Sequence, residues 1–169
     1  MNSVFIGVGS NINPEMNVQF PIWWLRMMTV LVKDVQVSPA YRSAPVGFEG
    51  DDFINLVVRF ETDIPLSGLQ ASFDQMEIQQ GRERNAKRFA PRQLDIDVLL
   101  YGNQISDKPR LPRPDILDYA FVLKPLADLA PAYMHPVTKK TFAQHWQEFS
   151  GDKKSVSHVE LPTFSIDNL

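Results

Sequence analysis

The chain contains 169 residues, a length that suits a single domain with its own hydrophobic core. It carries 17 Lys and Arg against 20 Asp and Glu, and this net charge of −3 excludes a general attraction to nucleic acid or to anionic membranes. There is no cysteine and no apolar run of signal-peptide or membrane-spanning length, which excludes disulfide frameworks and thiolate chemistry. We therefore expect one cytoplasmic domain over residues 1–169, with a loosely held polar tail from about residue 150.

Hydrophobic patterning predicts alternating strands and helices in the first hundred residues. Apolar runs and period-two alternation predict strands at 3–8, 32–37, 53–61 and 94–101. Apolar stripes at helical spacing predict one helix from Phe20 to Leu31 and another from Pro65 to Met76. The order β-α-β-β-α-β favours a ferredoxin-like α+β sandwich, in which helices pack on one face of an antiparallel sheet. An alternating order also suits a parallel α/β fold, but no helix separates the second and third strands, which favours antiparallel pairing.

The C-terminal part of the sequence is less regular. The proline-rich segment 109–114 is incompatible with regular structure, and short helices are predicted at 121–129 and 142–149. The three histidines are distant in the sequence and share no metal-ligand spacing, so we interpret His135, His145 and His158 as surface residues.

Asp95 and Asp97 form a candidate metal site. They lie two residues apart on a predicted strand, so both side chains leave the same face. The other face of the strand is filled by apolar residues: Leu94, Ile96, Val98 and Leu100. Two carboxylates on one rigid surface suit Mg²⁺ rather than zinc. An edge strand whose acids only face solvent fits the same spacing, so both interpretations stay open for this pair alone.

A basic loop precedes the two carboxylates. Its cations fall within eleven residues: Arg82, Arg84, Lys87, Arg88 and Arg92. Guanidinium groups bind phosphate oxygens bidentately, so cations leading into a carboxylate pair indicate handling of polyphosphate and magnesium. Gly81 and Pro91 bracket the loop, which can then close as a lid. The alternative is a solvated basic loop neutralised by the same acids.

Phe53 and Asn55 lie on the face of their strand that is opposite to its apolar row. An aromatic ring beside an amide suits stacking on a flat heterocycle whose edge the amide reads. A small second core under the loop 43–52 would explain the same pattern.

Six ordered motifs resemble the hydroxymethyl-dihydropterin pyrophosphokinases of folate biosynthesis. They are GVGSN at 7–11, YRSAPVG at 41–47, FIN at 53–55, EIQQGR at 77–82, RFAPRQLDIDVL at 88–99 and FVLKPL at 121–126. The resemblance covers nearly the whole chain and implies a ferredoxin-like fold. It also implies transfer of pyrophosphate from ATP to the 6-hydroxymethyl group of 2-amino-4-hydroxy-6-hydroxymethyl-7,8-dihydropteridine, giving AMP and the pterin diphosphate.

The resemblance also assigns roles to individual residues. It implies that Asp95 and Asp97 bind two Mg²⁺ ions, and that Arg82 and Arg92 are catalytic residues that steady the transferring phosphates. It implies a pterin pocket formed by Ser43, Ala44, Val46, Phe53, Asn55 and Phe121. It implies ATP contacts from Arg82, Arg84, Arg92, Val98, Arg110, Leu111, Arg113 and Tyr119. The expected partners are ATP and the pterin, with no nucleic acid, no membrane and no second copy of the chain.

Two positions depart from the family pattern. The family has a phosphate-contacting histidine in a Pro-His-Pro-like run, and Arg113 replaces it in this chain. The family also has a phosphate-contacting arginine two residues before the phenylalanine motif, and Tyr119 replaces it. The departures leave one alternative open, a paralogue that binds pterin or nucleotide without turnover. A second alternative, a single-stranded nucleic-acid binder, is disfavoured because Asp95 and Asp97 would repel a phosphate backbone.

Overall fold

An antiparallel sheet organises the fold of the chain, whose computed structural model describes residues 1–81 and 91–162. The strands are β1 (Asn2–Ser10), β2 (Val32–Val37), β3 (Ala40–Ser43), β4 (Phe53–Thr62), β5 (Asp95–Tyr101), β6 (Ser106–Asp107), β7 (Arg110–Leu111) and β8 (Val156–Val159). The helices are α1 (Pro14–Asn17), α2 (Phe20–Met27), α3 (Leu66–Gln79), α4 (Asp115–Asp118), α5 (Ala120–Leu129) and α6 (Phe142–Glu148).

The sheet order confirms the predicted antiparallel α+β fold. Six strands run in the order β5-β1-β4-β3-β8, and β2 pairs with β4 beside β3. Every pairing in this sheet is antiparallel. The central strand β1 is bonded to β4 on one side and β5 on the other, so residues distant in the sequence face each other across it.

The first hydrophobic core lies between the sheet and α2 and α3. Alternate residues of β4, among them Ile54, Leu56 and Val58, point into it and are almost fully buried. Leu69 and Phe73 of α3 pack against them, as the helical spacing predicts. This core holds β1, β4 and β5 in register, because a slip of one strand by one residue would turn all its apolar side chains to the opposite face of the sheet.

A second hydrophobic core covers the other face of the sheet, so the expectation of helices on one face was wrong. Phe5 and Val57 point into this core and meet Val122 and Leu126 of α5 and Phe142 of α6. The sequence gives α5 an apolar stripe but does not indicate which sheet face it covers. The face that carries Phe53 is therefore largely enclosed, and solvent reaches it at one end.

Several local expectations are corrected by the fold. The first long helix ends at Met27 and not at Leu31, because the chain must turn to enter β2 at Val32, and both Met27 and Leu31 are exposed. The register of β5 against β1 shifts between Phe5 and Ile6, so Leu100 lies in the second core and not in the first.

The C-terminal part is more ordered than its composition indicates. The proline-rich segment contains β7, which pairs with β6 in a small separate ladder. After a 3-10 turn at Lys153–Ser155, β8 pairs with β3, so the expected loose tail supplies an edge strand instead. His135 is buried and not on the surface, since its Nδ1 accepts hydrogen bonds from the backbone N–H groups of Val137 and Thr138. Within the described ranges, no helix has the length and apolar character needed to cross a membrane.

Candidate active site

A cavity of about 330 Å³ opens on the second face of the sheet, where β1 ends and β4 and β5 begin. Its floor is formed by these three strands, and its walls come from the loop after β3, the segment before α4 and the start of α5. The residues that the sequence analysis assigned to a pterin pocket and to a metal site therefore line the same cavity.

Two glycines of β1 form the floor of the cavity. Gly7 lies opposite Asp97 in the ladder, and Gly9 lies between Asn55 on β4 and Asp95 on β5. A Cβ atom on Gly9 would lie 2.8 Å from Asn55 Oδ1, closer than side chains approach. A side chain at Gly9 would therefore displace the Asn55 carboxamide, and space is the constraint here because the residue belongs to a regular strand without a positive φ.

An amide and a hydroxyl lie at the closed end of the cavity. Asn55 Nδ2 donates a hydrogen bond of 2.9 Å to Ser43 Oγ, and both side chains are buried. This bond fixes the carboxamide in one orientation, with its Oδ1 beside Gly9. All six residues predicted for the pterin pocket line this cavity: Ser43, Ala44, Val46, Phe53, Asn55 and Phe121.

Four aromatic rings line the cavity in two pairs. Phe53 meets Phe48 edge-on, with ring centroids 6.2 Å apart and an angle of 81° between the planes. Phe121 is stacked on Tyr119, with centroids 5.0 Å apart and an angle of 18°. Such a site offers large apolar faces to a flat ligand together with few polar groups that set its orientation.

The open end of the cavity carries three carboxylates and a guanidinium group. Asp95 and Asp97 point to the same side of β5, as the spacing predicts, and Asp115 faces them from α4. Arg113 joins two of the acids, since its Nη2 lies 3.4 Å from Asp97 Oδ1 and its Nε lies 3.4 Å from Asp115 Oδ2.

The charges of this end shift the pKa of two groups. Burial, and then the charge of Asp95, raise the pKa of Asp97 well above its ordinary value, although Arg113 opposes the shift. Burial lowers the pKa of Arg113, but Asp97 and Asp115 together raise it above its ordinary value. The carboxylates therefore form a region that favours a bound cation over two free negative charges.

Arg92 is held at the edge of the cavity by its backbone. Its N–H donates a hydrogen bond of 2.8 Å to Asn11 Oδ1, and its carbonyl accepts one of 3.0 Å from the Asn11 N–H. Asn11 Nδ2 also donates to the carbonyl of Asp51, in the loop after β3. Arg92 itself is buried and lines the cavity.

The remaining predicted residues divide into three groups. Arg113 and Tyr119 line the cavity. Val98 and Leu111 are buried in the first core, and Arg110 is exposed on β7. Arg82 and Arg84 lie outside the described residues, and among the described residues of the basic loop Arg92 lines the cavity.

Among the cavity residues that the sequence analysis missed are an aromatic ring and a carboxylate. Phe48 lies in the loop after β3, where an aromatic residue between Gly47 and Gly50 was a possible signal. Asp115 follows the proline-rich segment, and its position beside Arg113 became evident only when α4 was located. Within residues 1–81 and 91–162, no group of three or more His, Asp or Glu side chains is arranged to hold a metal ion.

The family whose description is 7,8-dihydro-6-hydroxymethylpterin-pyrophosphokinase (HPPK) matches residues 5–131 of the chain. The chain belongs to the HPPK family. Every residue that lines the cavity falls within the matched range. The family resemblance drawn from the six sequence motifs is thereby confirmed.

Individual relatives agree with this assignment. The chain is 38% identical to 2-amino-4-hydroxy-6-hydroxymethyldihydropteridine pyrophosphokinase of Pseudomonas aeruginosa, over 76% of this chain and 80% of the relative. It is 32% identical to the protein of the same name from Haemophilus influenzae, over 86% of this chain and 96% of the relative. A crystal structure of wild-type HPPK-DHPS from Plasmodium falciparum matches with a TM-score of 0.60 at 14% identity. That match covers 88% of this chain and 44% of the other, and it indicates a shared fold.

Proposed function

We propose that this cavity binds ATP beside 2-amino-4-hydroxy-6-hydroxymethyl-7,8-dihydropteridine and transfers pyrophosphate from the nucleotide to the pterin. In this reaction the hydroxymethyl oxygen forms a bond to the β-phosphorus of ATP and loses its proton. The bond between the β-phosphorus and the oxygen shared with the α-phosphate breaks, and AMP leaves. The observation that carries the proposal is the meeting of an aromatic and amide pocket with a carboxylate pair in one cavity of an HPPK-family chain.

The enclosed end of the cavity suits the pterin. Phe53 and Phe121 offer ring faces to a flat bicyclic ligand, and Asn55 offers an acceptor and a donor to its edge. The bond from Asn55 to Ser43 holds the amide before the ligand arrives, so little side-chain entropy is lost on binding. The hydroxymethyl group would then lie toward the carboxylates at the open end.

The carboxylates suit magnesium. Asp95 and Asp97 supply hard oxygen ligands on one strand face. Burial, and then the charge of Asp95, raise the pKa of Asp97, and a bound cation would offset both effects. Mg²⁺ commonly takes one or two protein carboxylates and completes its shell with water and substrate phosphates, so a third acidic ligand is not required. When bound, Mg²⁺ neutralises charge that develops on the phosphate oxygens. We propose two such ions, held by Asp95 and Asp97 together with ATP.

The arginines suit the phosphates. Arg92 approaches the cavity from a backbone that is bonded to Asn11 at both its N–H and its carbonyl. Arg113 faces the cavity with a guanidinium group that is shared between Asp97 and Asp115. With a cation on Asp97, Arg113 keeps Asp115 as a partner and gains freedom to bind a phosphate oxygen. We propose Arg82 and Arg84 as further phosphate contacts on the basis of the family motif.

The decisive experiment measures AMP release from ATP with and without the hydroxymethylpterin. We expect release that requires both Mg²⁺ and the pterin, and that is lost in Asp97→Asn. No pterin-dependent AMP at high enzyme concentration would disprove the proposal.

A pterin or nucleotide binder without turnover is the second candidate. It is supported by Arg113, which already has two carboxylate partners, and by Tyr119, which replaces a cationic residue of the family pattern. Calorimetry separates the two candidates. Pterin binding without Mg²⁺-dependent ATP binding would favour the binder.

We further propose a single domain that acts as a monomer in the cytoplasm and binds no nucleic acid. The acidic net charge supports the absence of nucleic-acid binding, and the absence of cysteine fits a reducing compartment such as the cytoplasm. Analytical ultracentrifugation tests the monomer, and titration with single-stranded oligonucleotides at low salt tests the absence of nucleic-acid binding.

A further inference from the structure

The stacked pair of Tyr119 and Phe121 differs from the other ring contacts of the cavity. Its planes are nearly parallel, at 18°, whereas Phe48 and Phe53 meet edge-on. A ring has two faces, and Tyr119 covers one face of Phe121. Both rings also pack against the second core, so the pair is supported from behind.

The backbone of Tyr119 is fixed at the start of α5. Its N–H donates a hydrogen bond of 3.1 Å to the carbonyl of Asp115, and its own carbonyl accepts bonds from the N–H groups of Val122 and Leu123. Tyr119 thus joins α4 to α5, and these bonds fix its backbone beside the cavity. From this anchored position its ring stacks on Phe121, two residues later.

We propose that Tyr119 is a positioning residue of the pterin wall and not a phosphate contact. Its ring holds Phe121 in the orientation that presents a free face to the pterin, which lowers the entropy lost when the ligand stacks. The inference rests on the proposed function, since it concerns the substrate of the same cavity. It also reassigns Tyr119, which the family pattern placed among the ATP contacts.

The opposite wall has a comparable arrangement. Phe53 is contacted by Phe48, and both rings line the cavity. Phe53 and Phe121, the two rings proposed to offer their faces to the pterin, therefore each have a second ring beside them. Tyr119 supports Phe121 as Phe48 supports Phe53, since the Tyr119 ring is stacked on the Phe121 ring. This arrangement agrees with a role for Tyr119 in the wall that contacts the pterin.

The test compares Tyr119→Phe, which keeps the ring and removes the hydroxyl, with Tyr119→Leu, which removes the ring. Calorimetry of the full chain with Mg²⁺ measures the Kd of a non-hydrolysable ATP analogue. A second titration, in the presence of that analogue, measures the Kd of 6-hydroxymethylpterin. Tyr133→Leu is the matched control, because Tyr133 is stacked on Phe142 in the second core outside the cavity.

We expect Tyr119→Leu to raise the pterin Kd roughly two- to tenfold, the range of an aromatic stacking contribution, and to leave the ATP-analogue Kd unchanged. Tyr119→Phe and Tyr133→Leu should both keep the wild-type pterin Kd. A rise in the ATP-analogue Kd in Tyr119→Phe would overturn the inference in favour of a phosphate contact. A lower pterin Kd in Tyr119→Leu would overturn it by showing that the ring blocks the pocket.

An unchanged pterin Kd in Tyr119→Leu would also overturn the inference and leave the proposed function intact. A wild-type chain that binds no pterin would instead overturn the proposed function, and the inference with it.

Discussion

Replacing Gly9 with alanine tests the floor of the cavity. The new methyl carbon would lie 2.8 Å from Asn55 Oδ1, which is 0.6 Å short of the 3.4 Å where ordinary contact begins. Strand β1 cannot move away, because Gly9 is paired with Asn55 on one side and with Asp95 on the other. The carboxamide of Asn55 must therefore rotate or shift.

The rotation of Asn55 has a cost that can be worked out from its contacts. It breaks the buried 2.9 Å bond to Ser43 Oγ, and a buried polar group that loses its partner costs about 1–3 kcal/mol. The same rotation removes the amide from the pterin edge. We therefore expect the pterin Kd of Gly9→Ala to rise about tenfold to a hundredfold, where each factor of ten is about 1.4 kcal/mol.

The chain offers a matched control in Gly7→Ala. A Cβ atom on Gly7 would lie 3.5 Å from Leu99, which is ordinary contact, and Gly7 also lines the cavity from β1. The assay is calorimetry with 6-hydroxymethylpterin in the presence of Mg²⁺ and an ATP analogue, with thermal melting as a check on folding. A folded Gly9→Ala variant with the wild-type pterin Kd, or an equal loss in Gly7→Ala, would refute the reasoning.

Three further predictions concern charge. Asp97→Asn should abolish Mg²⁺-dependent turnover. It should also keep or raise the midpoint of thermal unfolding, because burial and Asp95 disfavour the charged form of the Asp97 carboxyl group. A variant with a lower midpoint and retained turnover would contradict this prediction. Arg113→Met should raise the Kd of the ATP analogue about tenfold or more, which is the effect of losing a hydrogen bond to a charged group, and it should leave the pterin Kd unchanged. An unchanged Kd of the ATP analogue would show that Arg113 does not contact the phosphates. Burial, and then the charge of His145, lower the pKa of His135 from 6.5 to about 4. The stability that the neutral His135 ring contributes to the fold is therefore complete above pH 6.5 and is lost as the pH falls to 4. Urea denaturation should show an unfolding free energy that falls over this pH range, and falls less in His135→Asn, which keeps an acceptor. Parallel pH profiles of the two proteins would contradict the prediction.

Local sequence patterns predicted the sheet because they depend on side-chain period. Alternation along Phe53–Glu61 identified the two faces of β4, and the bounds 32–37 of β2 were correct. The same rule placed Asp95 and Asp97 on one face of β5. It failed at Leu100, because the register shift opposite β1 is set by strand pairing and leaves no mark on the pattern.

The alternatives that the sequence left open were decided by contacts between distant residues. Asp95 and Asp97 line a cavity and not a plain solvent-facing strand surface, because α4 and α5 pack on that face of the sheet. The second core of the sheet is built with α4, α5 and α6 and not under the loop 43–52, and Phe53 does not belong to it. Phe53 lines the cavity beside Phe48 of that loop.

The residue types and their spacing in the chain were sufficient for the antiparallel α+β fold class, for the placement of Asp95 and Asp97 on one strand face and, through the ordered motifs, for the family. These features follow from short-range periodicity and from motifs that can be read along one segment. The partners of Arg113, the stacking of Tyr119 on Phe121 and the burial of His135 could not be obtained in this way. Each depends on how closely separate elements pack, and that distance is set by the whole core and not by any one segment.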